Sequence, residues 1–155
     1  TLVPMVHTNW EHWQQLQPDT LVLSTDTGFD RNYQRDPYAG YQNDQGLYFP
    51  VTNLDPRYHP KQLTLGVEFD DKFMAYPYTE LDKAGGAVDD RLGGQVYKVI
   101  YDRESQTAWI EDPQGQKLPA ITTFWFAWMA FHPDSSVFTA DENSPQQLEL
   151  SQPIL

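Results

Sequence analysis

Two segments of the chain share one frame, and that frame limits the possible folds more than any other feature. Thr8-Asn9-Trp10-Glu11-His12-Trp13 and Thr123-Phe124-Trp125-Phe126-Ala127-Trp128 both read Thr-x-Trp-x-x-Trp, and after four more residues come Pro18-Asp19 and Pro133-Asp134. The agreement continues through Thr20, Val22, Leu23, Ser24 and Asp26 against Ser135, Val137, Phe138, Thr139 and Asp141. The displacement is constant, since 125 − 10 = 115 and 133 − 18 = 115. A fixed displacement over a run of positions is the mark of an internal repeat. Indoles three residues apart lie on one face of a helix, and a following proline ends it. Each copy therefore reads as a short helix leading into a short strand.

A chain of 155 residues without cysteine can bury one ordinary core and needs no disulfides. The 22 acidic residues against 10 basic ones, a net charge of −12, argue against a phosphate backbone or an anionic membrane surface as partner. Such a charge reads first as a soluble, self-repelling surface, and the sharper reading is cation binding, such as calcium. No apolar run approaches the roughly 20 residues of a membrane span. A chain that starts Thr1-Leu2-Val3-Pro4 reads as processed, or as the ordered part of something longer.

Thr8 and Glu11 have the spacing of a capping box, so a helix is expected over 9–16 with Trp10, Trp13 and Leu16 on one face. Leu21-Val22-Leu23 reads as a brief strand. Residues 25–46 are rich in Gly, Pro, Asn and Asp turn chemistry and carry Phe29, Tyr33, Tyr38 and Tyr41. Leu47 to Val51 reads as an edge strand because of Pro50. Leu63, Leu65, Val67 and Phe69 alternate, Asp70-Asp71 turns and Phe73 to Tyr76 returns, which is the clearest hairpin. Thr79–Lys83 is expected to form one helical turn closed by Gly85-Gly86. Val96 to Tyr101 and Thr107 to Ile110 read as strands, and Ser136 to Thr139 as a last one. The run Phe124 to Phe131 is apolar all round, so its helix, 123–131, is expected to be buried on every side. The fold class is mainly β: small antiparallel hairpins or a barrel-like unit, with two short Trp-x-x-Trp helices.

Many short motifs then agree with one family. They include Trp10-x-x-Trp13, Pro18-Asp19-Thr20-Leu21-Val22-Leu23-Ser24, Thr27-Gly28, Arg35-Asp36-Pro37-Tyr38-Ala39-Gly40-Tyr41, Phe49-Pro50-Val51 and Pro60-Lys61. Leu65-Gly66-Val67, Ala75-Tyr76-Pro77, Gly93-Gly94, Val99-x-Tyr101-Asp102 and Phe124-Trp125-Phe126-Ala127-Trp128-x-x-Phe131-His132-Pro133-Asp134 follow in order. Over about 3–139 the chain resembles domain-of-unknown-function family 3179. The resemblance implies two tandem copies of a β-rich unit, each closing on a Trp-x-x-Trp helix. It divides the chain into 1–24, the end of a preceding copy; 25–62, an aromatic loop region with an edge strand; 63–139, the second copy, closing on helix 123–131; and 140–155, a polar tail. The Cys-Pro-x-Cys-like segment of the family's first copy has no counterpart here, and the stretch from Trp109 to Thr123 is shorter than in many relatives. Relatives are commonly exported or lipid-anchored, which implies an exported, periplasmic or envelope-associated location.

Catalytic residues are not evident. Glu68, Glu80 and Glu111 have no spacing that selects an acid/base pair. No glycine-rich phosphate loop and no serine elbow is present. His7, His12 and His132 are the candidate metal ligands, for copper or zinc, on the idea that the repeat brings His12 and His132 together. The favoured reading is that His132 caps the C-terminus of its helix and the other histidines are surface residues. Carboxylates cluster at Asp26, Asp30 and Asp36 and at Asp89-Asp90-Arg91; the first group lacks the register of a calcium loop, and Asx-turns account for most of these residues. Tyr33, Tyr38, Tyr41 and Tyr48 are the candidates for a ligand or partner surface. Trp10, Trp13, Trp125 and Trp128 are expected to anchor the core. These features favour a non-catalytic exported structural or interaction module, part of a larger chain or assembly. Its partners would be other protein subunits or a missing N-terminal half, without nucleic acid or a membrane-spanning segment. A metal-binding protein and a carbohydrate-binding or hydrolysing domain are the alternatives.

Overall fold

The computed structural model describes residues 5–140, so the polar tail, Ala140 apart, lies outside the described residues. Within them the chain is mainly β, with eight strands in two four-stranded sheets and three short α-helices; the sheets are open and do not close into a barrel.

The alternating stretch forms β1 (Leu63–Phe69), paired antiparallel with β2 (Lys72–Pro77). Asp70 and Asp71 both take positive φ, 50° and 56°. That is the turn geometry whose twist matches a two-residue hairpin, and Asp is among the few side chains that tolerate it. After β2 the chain makes α2 (Tyr78–Lys83), stopped at Gly85 and Gly86, whose N–H groups donate to the carbonyls of Asp82 and Leu81. The second sheet then runs in sequence order: β3 (Ala87–Leu92), β4 (Gln95–Asp102), β5 (Thr107–Glu111) and β6 (Lys117–Leu118). The chain returns to the first sheet as β7 (Ile121–Phe124) beside β1, forms helix α3 (Trp125–Phe131), and ends on β8 (Ser136–Val137), parallel to β2.

Side chains alternate across a strand, so β1 and β2 present two faces. Leu65, Val67, Met74 and Tyr76 meet Val88, Tyr97, Val99 and Ile110 of the second sheet in one core. The opposite face offers Ala75 and the side-chain-free Gly66 to α3, and there Trp125, Trp128 and Met129 make a second core. The result is three layers: sheet, sheet, helix. The first interface also carries a buried polar chain, in which the Tyr76 hydroxyl donates to Asp90 at 2.6 Å and lies 2.6 Å from the Tyr97 hydroxyl. Burial first, then the neighbouring Tyr97 and Asp90, pushes the Tyr76 hydroxyl well above the ordinary tyrosine range, so it stays a donor.

Glu80, on α2, is buried yet holds its carboxyl below the usual value. Burial alone would raise it, but Lys83 at 2.7 Å, the Ala140 N–H at 3.0 Å and the Tyr58 hydroxyl outweigh that cost. A carboxyl whose folded value is depressed stabilises the fold above its unfolded value, 4.5, and that contribution disappears as pH falls through the folded value. The Glu80→Gln variant is therefore expected to lose less stability than the parent between about pH 5 and pH 3. Urea midpoints measured across that window check it.

Several sequence expectations are corrected. The segment 87–92 is a strand, with Val88, Asp90 and Leu92 facing inward; Asp89-Asp90-Arg91 is part of it and no carboxylate cluster. Residues 47–51 form no strand, because Lys61 takes the Asp44 and Gly46 carbonyls just before them and Phe49 packs on Phe126. Leu21-Val22-Leu23 forms no strand and joins no ladder. Helix α3 is not buried all round, since Phe131 is 82% exposed.

Candidate interaction surface

The two tryptophan segments have the same local build. Helix α1 (Trp10–Leu16) and α3 are both seven residues long and are displaced by 125 − 10 = 131 − 16 = 115. Their C-caps, Gln17 and His132, have nearly equal backbone angles, −138°/71° and −130°/62°. Both cap N–H groups donate to the carbonyl of the second tryptophan, at 2.8 and 2.9 Å. The indole N–H of Trp13 donates to the Thr20 hydroxyl at 3.0 Å, and that of Trp128 to the Ser135 hydroxyl at 2.9 Å. Even the turn between them repeats, with Thr20 N–H to the Gln17 carbonyl at 3.1 Å and Ser135 N–H to the His132 carbonyl at 3.0 Å.

What differs is what each segment rests on. Trp125 is fully buried, with its indole N–H on the Asp55 carbonyl and the Tyr58 ring edge-on to it. Trp128 lies flat over Gly66, and Phe138 fills the core between the sheets. In the first copy Trp10 is 52% exposed and α1 has no buried residue. Leu21 and Leu23, the counterparts of Ser136 and Phe138, are each 95% exposed. The expectation that Trp10 and Trp13 anchor the core is thus corrected: Trp10 is exposed and Trp13 half-buried, while Trp125 and Trp128 are buried under the first sheet. The predicted capping also moves by one residue. Asn9 caps the His12 N–H at 2.8 Å, while the Thr8 hydroxyl lies 2.8 Å from that of Thr107. With the Asn9 amide on the Glu104 carbonyl, these polar contacts hold α1 against the turn between β4 and β5.

The loop region forms the second part of the surface. Tyr41 and Tyr48 stack with ring centres 4.3 Å apart, and Tyr38 lies 6.4 and 6.5 Å from them. Tyr33 stands apart, its hydroxyl 2.5 Å from that of Thr27. Asp36, Gln42, Asn43 and Gly40 complete a shallow pocket of about 550 Å³ against Tyr38, Tyr41 and Phe124. The organiser is Lys61, a residue the sequence reading did not single out. Its ammonium is buried under the Tyr41 ring at 3.8 Å and donates to the carbonyls of Asp44 and Gly46. The Lys61→Met variant keeps the stem but loses these donors, worth about 1.5–3 kcal/mol each when charged. Faster tryptic cleavage within 31–57, with the sheets intact by circular dichroism, is the expected result of limited proteolysis.

A cleft of about 770 Å³ opens beside β1 where β7 begins. Trp128, Phe69 and Ile121 give it apolar walls, and Glu68, Asp70 and Asp71 line it without any cation. The histidines do not gather. His132 is stacked between Phe73, at 4.1 Å, and Trp128, at 4.3 Å, while His7 is exposed before α1. His12, on α1, faces Asp102, whose carboxyl is held below its usual range by the Ser105 hydroxyl and, to a smaller extent, by His12. Among the described residues no three His, Asp or Glu side chains are placed to hold a metal ion. Asp36 turns its own loop by accepting the Tyr38 N–H at 2.8 Å. No described helix is long and apolar enough to cross a membrane.

No curated protein and no solved structure matches the chain. A family model does, over residues 1–135, and its description is a protein of unknown function, DUF3179. The match covers most of the chain, both tryptophan segments included, and the chain belongs to the DUF3179 family.

Proposed function

We propose that the protein is a non-catalytic structural or interaction module, exported and part of a larger chain or assembly. The observation that carries this reading is the first tryptophan segment. It has the complete local geometry of a docked closing element, yet Trp10, Leu21, Val22 and Leu23 face solvent. Contiguous exposed apolar surface of this kind marks a contact site. Export rests on the family resemblance. Native electrophoresis of soluble, envelope and secreted fractions, developed with an antibody to the chain, tests both parts. The reading expects an envelope or secreted species larger than 17.9 kDa. A cytosolic species of that mass alone would contradict it.

A second reading has its own observation. The pocket formed by Tyr38, Tyr41, Asp36, Gln42 and Asn43 combines ring faces with amide and carboxylate groups, the chemistry that holds a neutral sugar. Binding on a glycan array that Tyr38→Ala abolishes supports it, and an empty array removes it.

A further inference from the structure

Resting on the interaction reading, we infer that the cleft beside β1 seats an extended, basic peptide segment of a partner protein, which adds to the open edge of β1 as a short strand. The register shows where that edge is open. Strand β7 pairs with Leu63 to Gly66 only, and its first residue, Ile121, stands opposite Gly66. The Trp125 N–H donates to the Gln62 carbonyl at 2.8 Å, one position beyond the ladder, so Gln62 and Trp125, Thr64 and Thr123, and Gly66 and Ile121 are the hydrogen-bonded pairs. Even-numbered residues of β1 therefore direct their backbone groups to this edge, and Glu68 is the next of them. By the same register it would face Pro119, which has no N–H to give and lies before β7 begins. The Glu68 N–H and C=O thus open into the cleft, and no described strand answers them. The lining agrees. Phe69 packs on the core between the sheets and Gly66 lies under Trp128 on the other face, yet both border this one cleft of about 770 Å³. A cavity reaches both faces of a strand by lying at its edge.

An open rung accepts any backbone, and charge selects among them. Glu68, Asp70 and Asp71 line the cleft with no basic residue, and none of the ion pairs among the described residues involves them. Lys72, next in sequence, is exposed and is not part of the lining. The chain's own ends do not complement these carboxylates: residues 1–4 have no charged side chain, and 141–155 hold Asp141, Glu142 and Glu149 without Lys or Arg. A second copy arrives with a net charge of −12. The occupant is a partner's segment with Lys or Arg at alternate positions, to meet Glu68 and Asp70 two residues apart, and with apolar residues between them for Phe69.

The probe is acetyl-Val-Lys-Val-Arg-Val-amide, added to the 155-residue chain, with acetyl-Val-Glu-Val-Glu-Val-amide as control. NMR follows binding and the hydrogen exchange of the Glu68 amide. The expected result is a Kd below about 1 mM for the basic peptide, weaker at high salt, with slowed exchange at Glu68. The variant Glu68→Gln, Asp70→Asn, Asp71→Asn keeps the turn, because Asn also tolerates positive φ, and is expected to bind about tenfold more weakly. No binding of the basic peptide, equal binding of the acidic one, or undiminished binding by the triple variant overturns the inference. Binding that leaves the Glu68 amide exchanging as in the free chain also overturns it, since the cleft would then hold a cation and not a strand. If native electrophoresis still shows a larger species, the interaction reading stands without it.

Discussion

Replacing Trp125 with alanine is expected to lower the stability of the fold by about 4 kcal/mol, the middle of the range for emptying a buried indole site. The side chain is fully buried in the core under the first sheet, against Ala75, Trp128 and Met129. It also supports the loop before β1: its N–H is held by the Asp55 carbonyl at 2.9 Å, and the Arg57 guanidinium sits 5.4 Å above its ring. Loss of the indole therefore leaves a cavity and frees the 55–58 segment. Urea unfolding measures the first effect, and tryptic cleavage after Arg57 reports the second. The counterpart, Trp10→Ala, is expected to change stability by less than about 0.5 kcal/mol, as for an exposed site. Equal losses at the two positions would show that α1 is seated within this chain.

Gly66→Val is expected to cost about 3 kcal/mol, the upper end for forcing volume into a packed core. The reason is contact and not backbone strain. An added Cβ would lie 2.0, 2.3 and 2.5 Å from three carbons of the Trp128 ring. Neither side can yield easily, because β1 is paired on both edges at that residue, with Ala75 and Ile121, and Trp128 is tied to Ser135. If the clash is with Trp128, then Trp128→Leu combined with Gly66→Val loses less than the two single changes together. Urea midpoints of the four chains measure the coupling, and strict additivity would contradict the assigned contact.

The elements legible in the sequence were those with a local cause. The β1–β2 hairpin follows from strict alternation around Asp70-Asp71, and the C-terminal ends of α1 and α3 follow from Pro18 and Pro133, whereas α3 starts at Trp125 and not at 123 because Thr123 and Phe124 belong to β7. Among the elements missed, β3 breaks the usual pattern because its inward face includes Asp90, which accepts from the buried Tyr76 hydroxyl and from the Arg91 N–H. The alternation of Val88, Asp90 and Leu92 before Gly93-Gly94 was the available signal. Residues 47–51 look strand-like by composition, but a strand needs a neighbour, and none lies beside them.

The candidate surface was legible in part. Tyr38, Tyr41 and Tyr48 were named from the loop composition, and they do meet. Lys61 was not, since a lysine before a strand ordinarily points to water, and only the tertiary fold places two carbonyls and a ring around it. The repeat predicts that two segments share a shape. It does not predict that each finds a seat, because the seat is made by distant residues such as Gly66 and Ala75. That is why Trp10 and Trp13 were expected in the core, yet Trp10 is exposed and Trp13 only half-buried.

One tryptophan segment is docked, and its twin is built alike but undocked. Hydrogen exchange of the indole N–H groups, followed by NMR in the 155-residue chain, tests it most directly. The account predicts that Trp125 and Trp128 exchange only through global unfolding, while Trp10 and Trp13 exchange through local opening at a far lower cost. Protection of Trp13 equal to that of Trp128, or rapid exchange at Trp128, would contradict it.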